Sequence, residues 1–258
     1  MRKIASLFVA LLLLAGCSSV PLTGRKQVLL VSDQEVLSSS LTQDNDYIKT
    51  AKKSTNANKS AMVTRVGKRI AAATEEYLRA NGMADEVKNF SWEFNLVNDP
   101  QVNAFCMPGG KIVVYEGLLP LVSSDDELAV VIGHEVAHAV AKHSNERMSQ
   151  QLMAQYGAAI LGAAVSNKSA AVQQAANTVY GVGAQYGVML PFSRKHESEA
   201  DYMGLVFMTM AGYNPDVAVN FWQKMSAGKS GSTPEFMSTH PSDGCRCRKH
   251  DDRSIYDQ

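Results

Sequence analysis

The sequence predicts an α+β fold that is mainly helical, with one small antiparallel hairpin beside a long helix. Three observations support this prediction. The 258 residues are 45% apolar and 19% charged, which is typical of one globular core and not of a disordered chain. Apolar residues recur three to four positions apart over several stretches, as in amphipathic helices. Two short β-rich runs flank Pro108-Gly109-Gly110, a sequence typical of a tight turn.

The N-terminus predicts a signal peptide over residues 1–16. Arg2 and Lys3 precede an uncharged run that is shorter than the roughly twenty residues of a membrane-spanning helix. The run ends in Leu14-Ala15-Gly16-Cys17, which resembles the bacterial lipoprotein signal, in which the chain is cut before an acylated cysteine. We therefore expect a lipid on Cys17 and, by the same resemblance, an outer-membrane location facing the periplasm. A plain secretory signal is the alternative.

Two domain predictions follow for the rest of the chain. Residues 17–60 are polar, with a short apolar stretch at 28–31 and a weak helical pattern at 33–50, so we expect a tether followed by an edge element and a helix. Residues 61–258 are expected to form one domain. The chain has 25 Lys+Arg and 25 Asp+Glu, and this balance excludes the basic field on which non-specific nucleic-acid binding depends.

Local patterns predict the elements of this domain in order. Helical spacing covers residues 62–78 and ends at Asn81-Gly82. Strand-like runs follow at 91–97, 102–106 and 111–115, and the last two form the hairpin. Serine hydroxyls and carboxylates at 123–127 begin a helix that should continue to about residue 148.

The second half of the domain is predicted as further helices. Residues 151–190 are rich in Ala and Gly, which indicates one or two imperfect helices that either form a mobile flap or pack closely. Ser193 is predicted as the N-cap of a helix that continues to residue 210. A last helix is predicted over 215–225.

The helix predicted to begin near residue 125 contains a metal-binding pattern, His134-Glu135-Val136-Ala137-His138. At about 100° per residue, His134 and His138 lie roughly 40° apart, so both imidazoles can bind one ion. Glu135 lies one step round the helix, where its carboxylate can take a proton from the attacking water. A catalytic zinc site normally has three protein ligands, so a further ligand must lie elsewhere.

Two regions offer that ligand. His143 follows His138 by five residues with no intervening glycine, and on a continuous helix it points away, so we interpret it as a surface or packing histidine. Glu197 and Asp201 share one helix face, so Glu197 could bind the ion while Asp201 accepts a ring N–H of a ligating histidine. The neighbouring side chains of this helix, His196 and Glu199, are expected to be exposed.

The order of these motifs resembles the M48 family of zinc metallopeptidases, in its bacterial lipoprotein branch. The HExxH pattern is followed about sixty residues later by Ser193-Arg194-x-x-Glu197-x-Glu199-Ala200-Asp201. Residues 99–112 and Gly117-Leu118-Leu119 are similar to the hairpin that precedes the zinc helix in that family. The resemblance implies a zincin-like domain with one Zn²⁺ per chain.

The resemblance also implies roles for individual residues. His134, His138 and Glu197 would hold the Zn²⁺, Glu135 would be the general base and Asp201 would orient a ligand histidine. Endopeptidase activity is implied, with an extended peptide adding to the strand beside the zinc helix. That strand is Lys111, Ile112, Val113, Val114 and Tyr115.

The last part of the chain is only partly similar to the family. His240, in Thr239-His240-Pro241, resembles a late His-Pro element, which implies that it approaches the metal or stabilises the oxyanion; a simple loop histidine is the alternative. The stretch Cys245-Arg246-Cys247 departs from the family pattern. In an oxidising periplasm these cysteines could pair with another thiol, such as Cys106, or form mixed disulfides.

The function predicted from these residues is proteolysis at the cell envelope. The expected substrates are unfolded or misassembled envelope proteins, because strand addition recognises backbone more than side chains. The alternative is a zinc-stabilised envelope chaperone or assembly factor with little or latent proteolysis. A pure binding protein would have no use for Glu135 beside the metal site.

Overall fold

The computed structural model describes residues 17–227 together with Phe236, Ser238 and His240. The predicted signal peptide, the two cysteines Cys245 and Cys247 and the C-terminal tail lie outside the described residues. Within this part of the chain the structure is mainly helical with two small sheets, which confirms the predicted α+β class.

The N-terminal segment forms a hairpin and a helix. Strands β1 (Cys17–Ser19) and β2 (Lys26–Val28) pair antiparallel, with Cys17 opposite Val28. Helix α1 (Asp33–Thr50) begins with a capping box, in which Ser32 and Glu35 each accept the other's backbone N–H. The helix predicted at 33–50 is confirmed, whereas the strand β2 ends at Val28, the first residue of the apolar stretch at 28–31.

Helix α2 (Ala57–Ala80) carries a buried apolar stripe and covers the main sheet. Its N-cap, Asn56, accepts the backbone N–H of Lys59. Gly67 lies against the ring of Phe94, where an added Cβ would be 2.2 Å from the nearest ring atom, so only glycine permits this close packing. A single turn, α3 (Ala84–Val87), follows before the sheet begins.

The main sheet has three strands in the order β3-β5-β4. These are β3 (Glu93–Val97), β4 (Ala104–Met107) and β5 (Lys111–Tyr115). The predicted antiparallel β4–β5 hairpin is confirmed, with Gly109 and Gly110 at positive φ in its turn. Strand β3 pairs parallel with the other side of β5. Peptide addition to β5 therefore does not fit this topology, because both sides of that strand are already paired; β4 is the outer strand next to the HExxH helix.

The second half of the chain is helical. After a 3₁₀ turn (Glu116–Leu121) come α4 (Asp125–Val140), α5 (His143–Val165), α6 (Ala170–Ala184), a π turn (Gln185–Met189), α7 (Leu190–Met210) and α8 (Val217–Ser226). Helices α4 and α7 touch at Gly133 and Gly204, where a Cβ on Gly133 would lie 2.7 Å from the Gly204 carbonyl oxygen. This contact brings the HExxH face of α4 against the acidic face of α7.

Two helix predictions were wrong at their boundaries. The helix predicted to continue from residue 125 to 148 is interrupted, because Lys142 adopts a left-handed conformation with φ 56°. Ser193 is not an N-cap, since α7 begins at Leu190 with a proline in its first turn.

Helices α5 and α6 form a hairpin over the region for which a flap or close packing was expected. They pack on each other, and the Tyr180 hydroxyl donates to the Ala154 carbonyl oxygen at 2.9 Å. Several large apolar side chains of the pair are exposed, among them Tyr156, Ile160 and Val179. Within residues 17–227, no helix combines the length and the apolar character needed to cross a membrane.

Candidate metal centre

Four side chains converge between α4 and α7. His134, His138, Glu197 and His240 each direct one ligand atom to a common point, and these atoms lie within 4.8 Å of one another. His134 Nε2 is 3.0 Å from His138 Nε2 and 3.2 Å from Glu197 Oε2. His240 Nδ1 is 3.0 Å from the same carboxylate oxygen. Helical spacing on α4 and the close approach of α7 together create this convergence.

The chemistry of these donors fits a divalent metal ion. Three imidazole nitrogens and a carboxylate oxygen form a donor set that such ions use in proteins. Asp201 Oδ1 lies 2.8 Å from His134 Nδ1, and as a carboxylate it accepts the proton of that nitrogen. In this tautomer the Nε2 lone pair of His134 points into the cluster, where it can bind a cation.

The charge states of the cluster also suit a cation. Burial raises the pKa of Glu197, but the ring nitrogens of His134, His138 and His240 that face its carboxylate outweigh this and hold that pKa well below its ordinary value. Glu197 is therefore anionic. Burial lowers the pKa of His138 well below the ordinary value, which favours the neutral imidazole that binds metals.

Glu135 lies beside the cluster and is not one of its converging donors. The residue is 1% exposed, and its Oε1 atom has no hydrogen-bond partner among the described residues. This atom is 3.6 Å from His240 Nε2. Burial raises the pKa of Glu135, although His240 and His134 oppose the increase. A buried carboxylate with raised proton affinity suits a general base.

His138 is supported differently from His134. Its Nδ1 faces His143 Nδ1 at 2.9 Å, and His143 Nε2 is 3.0 Å from Glu199 Oε2. The expectation that His143 lies at the surface or only packs was therefore incomplete, since it is 2% exposed and contacts a candidate ligand. The predictions of exposure for Glu199 and His196 were wrong, because both are buried.

The left-handed turn at Lys142 is what redirects His143. The turn ends α4 and starts α5, so His143 points back toward His138 and not to the opposite face of one long helix. A left-handed non-glycine residue costs about 1–2 kcal/mol. The Lys142 ammonium is fixed by Asp33 at 2.6 Å and Glu86 at 2.7 Å, and these ion pairs help to hold the turn.

Sequence reasoning also missed Arg25, which contacts Glu146 at 2.7 Å and Glu199 at 2.8 Å. These partners lie 121 and 174 positions away along the chain, so no local pattern indicates the contacts. Hydrogen bonds from His196 and Arg25 overcome the effect of burial and lower the pKa of Glu146 to about 2.

A partly apolar cavity adjoins His138 on the side of β4. Its lining includes Val36, Leu37, Phe90, Met107 and Ala139. The thiol of Cys106 on β4 borders this cavity, and burial raises its pKa well above the ordinary value. Among the described residues Cys106 is a free thiol.

Comparisons with known proteins agree with this arrangement. The model of "Peptidase family M48" matches residues 64–254. Mitochondrial metalloendopeptidase OMA1 of Schizosaccharomyces pombe is 39% identical over 189 residues, covering 72% of this chain and 50% of that protein. The OMA1 of Arabidopsis thaliana is 41% identical over 164 residues, covering 64% and 32%. The beta-barrel assembly-enhancing protease of Escherichia coli K12 is 28% identical over 176 residues, covering 64% and 36%. The chain thus spans half or less of the length of these relatives.

Proposed function

The chain belongs to peptidase family M48, and on that premise we propose that it is a zinc-dependent endopeptidase of the bacterial cell envelope. The convergence of His134, His138 and Glu197 beside the buried carboxylate of Glu135 carries this proposal. Relatives named as metalloendopeptidases and as a beta-barrel assembly-enhancing protease support it. The predicted lipid on Cys17 would anchor the enzyme to the outer membrane, facing the periplasm.

The residues of the cluster divide into binding and proton-transfer roles. His134, His138 and Glu197 would hold one Zn²⁺, a His₂Glu set typical of catalytic zinc sites. When bound, this ion polarises the scissile carbonyl and acidifies the attacking water. Glu135 takes the proton of that water and passes it to the leaving amine, a transfer that its raised pKa favours. Asp201 keeps His134 in the tautomer that binds the metal.

His240 lies among the donors of the proposed zinc site. Its Nδ1 lies 3.2 Å from His134 Nε2 and 3.0 Å from Glu197 Oε2, so in this arrangement it would be a fourth ligand of the ion. A catalytic zinc site keeps the fourth position open for water or substrate. This geometry supports the interpretation that His240 approaches the metal, and we propose that it moves aside before a peptide is cut.

The outer strand β4 is the proposed binding edge for the substrate. An extended peptide that adds to Ala104–Met107 would lie along α4 and could place a side chain in the apolar cavity beside His138. Backbone pairing requires an extended segment, which unfolded or misassembled envelope proteins expose and compact proteins do not. These proteins are therefore the proposed substrates.

An envelope chaperone or assembly factor with latent proteolysis is the second candidate. The position of His240 within the donor cluster favours it, because a blocked site would bind without cutting. The buried carboxylate of Glu135 favours the endopeptidase. A deletion strain distinguishes the two functions. If Glu135→Gln rescues the envelope phenotype of this strain as completely as the wild type does, proteolysis is dispensable.

Metal content and casein cleavage of the purified chain test the endopeptidase directly. We expect one zinc and cleavage for the wild type. Glu135→Gln should keep the zinc and lose about 10²–10⁴-fold in rate, the contribution of a general base. Glu197→Ala should lose the metal. A wild-type chain loaded with zinc that cuts neither casein nor unfolded outer-membrane proteins, alongside an active control protease, would refute the proposal.

The anchor needs its own test. Mass spectrometry of the membrane-bound protein should find acyl chains on Cys17, and Cys17→Ala should release the chain from the membrane fraction. A soluble protein cleaved at another position would instead support the plain secretory signal.

A further inference from the structure

Arg25 joins two helices that carry buried carboxylates. It lies in the turn between β1 and β2, and its side chain is 11% exposed. Its Nε donates to Glu199 Oε2 on α7 at 2.8 Å. Its two terminal nitrogens donate to Glu146 on α5, at 3.0 and 2.7 Å. Such a planar fork of donors matches carboxylate geometry in a way that lysine cannot.

From Glu199 the contacts continue to the metal centre. The same Oε2 atom lies 3.0 Å from His143 Nε2, and His143 Nδ1 lies 2.9 Å from His138 Nδ1. We call His143, Glu199 and Arg25 the long support of His138. Each contact in this series is within hydrogen-bond distance, so it is continuous from the N-terminal hairpin to a candidate metal ligand.

The long support dictates which nitrogen of each ring carries the proton. The carboxylate of Glu199 only accepts, so His143 donates to it through Nε2. The other nitrogen of a neutral His143 then accepts, and His138 must donate through Nδ1. This leaves the Nε2 lone pair of His138 directed at the metal cluster, in the orientation that binding requires.

Two further contacts fix the long support from its sides. The Thr23 hydroxyl donates to the second oxygen of Glu199, at 2.5 Å, so the turn of the hairpin contacts both carboxylate oxygens. Glu146, the other partner of Arg25, lies 2.9 Å from His196 Nε2. The His196 ring stacks on His143 with centroids 4.3 Å apart. Arg25 therefore restrains His143 through Glu199 and through His196.

We propose that Arg25 is a positioning residue for the metal ligand His138, and that the hairpin Cys17–Val28 is part of the metal centre's support. The proposal rests on the metal site of the proposed function. Because the hairpin begins at Cys17, the predicted site of the lipid anchor, the anchored end of the chain and the ligand are joined by three side chains. Loss of the Arg25 contacts should loosen His138 and weaken zinc binding.

Zinc affinity, measured by competition with a chromophoric chelator, tests the proposal. Arg25→Gln should lower the affinity about tenfold, at the lower end of the range for outer partners of metal ligands. Arg65→Gln is the matched control, because two nitrogens of Arg65 also donate to a carboxylate, that of Asp125, but this pair lies at the surface. The control should keep wild-type affinity. Equal affinities for the two variants would overturn the proposal.

The variant Arg25→Lys tests whether a loss of zinc affinity in Arg25→Gln comes only from misfolding. Lysine keeps the positive charge between the two carboxylates but cannot reproduce the fork of contacts. We expect it to fold and to lose zinc affinity by about threefold, between the wild type and Arg25→Gln. A folded Arg25→Lys with the affinity of Arg65→Lys would contradict the positioning role.

A double variant separates positioning from general loosening of the fold. In a His143→Ala background the long support is already broken, so Arg25→Gln should change zinc affinity by less than about twofold while still lowering the melting temperature. An equal loss of affinity in both backgrounds would mean that Arg25 does not act through His143. A wild-type chain that binds zinc but cuts nothing refutes the endopeptidase alone, and the zinc comparison still decides the role of Arg25.

Discussion

The two histidines of the HExxH pattern occupy the same face of α4 but are supported in different ways. Among the residues that the structure describes, His134 has a short support, the 2.8 Å contact of its Nδ1 with Asp201. His138 has the long support of His143, Glu199 and Arg25, which comes from three separate elements. The short support uses only α7, the helix that also supplies Glu197, whereas the long support uses α7, α5 and the turn between β1 and β2.

The difference shows that equivalent ligands need not depend equally on the rest of the fold. The support of His134 exists wherever α4 and α7 pack together. The support of His138 also requires the left-handed turn at Lys142 and a correctly placed N-terminal hairpin. Disturbances of the N-terminal hairpin should therefore reach the metal centre through His138 and not through His134.

The largest expected effect tests whether the two ligands are equivalent. His134→Ala and His138→Ala should each abolish zinc binding at micromolar zinc, because a site of three protein ligands would lose one of them. Equilibrium dialysis with metal analysis measures this. Glu135→Gln is the control, since it alters the same helix but should retain the metal. Full retention of zinc by either alanine variant would exclude that histidine as a ligand.

The acid sensitivity of the fold should come largely from Glu146, the second carboxylate that Arg25 contacts. Glu146, which faces Arg25 and His196, has a pKa lowered to about 2, below the value in an unfolded chain. The ionised Glu146 therefore adds to the free energy of unfolding above about pH 4.5, and this contribution is lost as the pH falls toward 2. The whole contribution is on the order of 3 kcal/mol.

Urea unfolding of the metal-free chain at several pH values measures that contribution. Between pH 5 and pH 3 the wild type should lose more stability than Glu146→Gln, which lacks the titrating group. Asp85→Asn removes an exposed carboxylate and should follow the wild-type curve. Parallel curves for the wild type and Glu146→Gln would show that Glu146 is not the source of the acid sensitivity.

Much of the fold and the converging ligands of the metal centre, but not the contacts that support His138, could be predicted from the sequence. Apolar periodicity predicted α2 and α4, capping and stop signals predicted α7 except for its first turn, and the Pro-Gly-Gly turn predicted the β4–β5 hairpin. The helical period also brought His134, His138 and the pair Glu197 and Asp201 to common faces. These features depend on residues close in sequence, where the spacing along a helix or strand determines the direction in which each side chain points.

The remaining features depend on contacts between distant residues. The parallel pairing of β3 with β5 makes β5 the central strand, and no local pattern encodes that pairing. The left-handed turn at Lys142 contains no glycine that would indicate it in the sequence. It is held by ion pairs of Lys142 with residues of α1 and α3, which are distant in sequence. Arg25 meets its carboxylates only when the hairpin, α5 and α7 are assembled.

The short support can be weakened alone. Asp201→Asn keeps the shape of the side chain but removes the charge that holds His134, so zinc affinity should fall by about 10–100-fold. Chelator competition measures the loss. Asp216→Asn, an exposed position at the start of α8, is the control. An affinity equal to that of the control would mean that His134 does not need its carboxylate.

The smallest effect is expected from the corresponding change in the long support. Glu199→Gln keeps a carbonyl oxygen that can accept from His143 and Arg25, and Thr23 can rotate its hydroxyl to accept from the new amide. Only the charge is lost, and Glu199 reaches the ligand His138 through His143, whereas Asp201 contacts its ligand directly. Exchanging a charge-assisted hydrogen bond for a neutral one at this distance from the ligand should cost on the order of 0.7 kcal/mol, about threefold in zinc affinity.

Comparing the zinc affinities of Asp201→Asn and Glu199→Gln shows which of the two supports depends more on the charge of its carboxylate. If Glu199→Gln lowers zinc affinity as much as Asp201→Asn, then the charge of Glu199 and not the geometry of its contacts holds His138. In that case Arg25→Gln, which leaves the charge of Glu199 without its cation, should bind zinc more tightly than Glu199→Gln. The opposite order, with Arg25→Gln the weaker binder, is the one that positioning by contact requires.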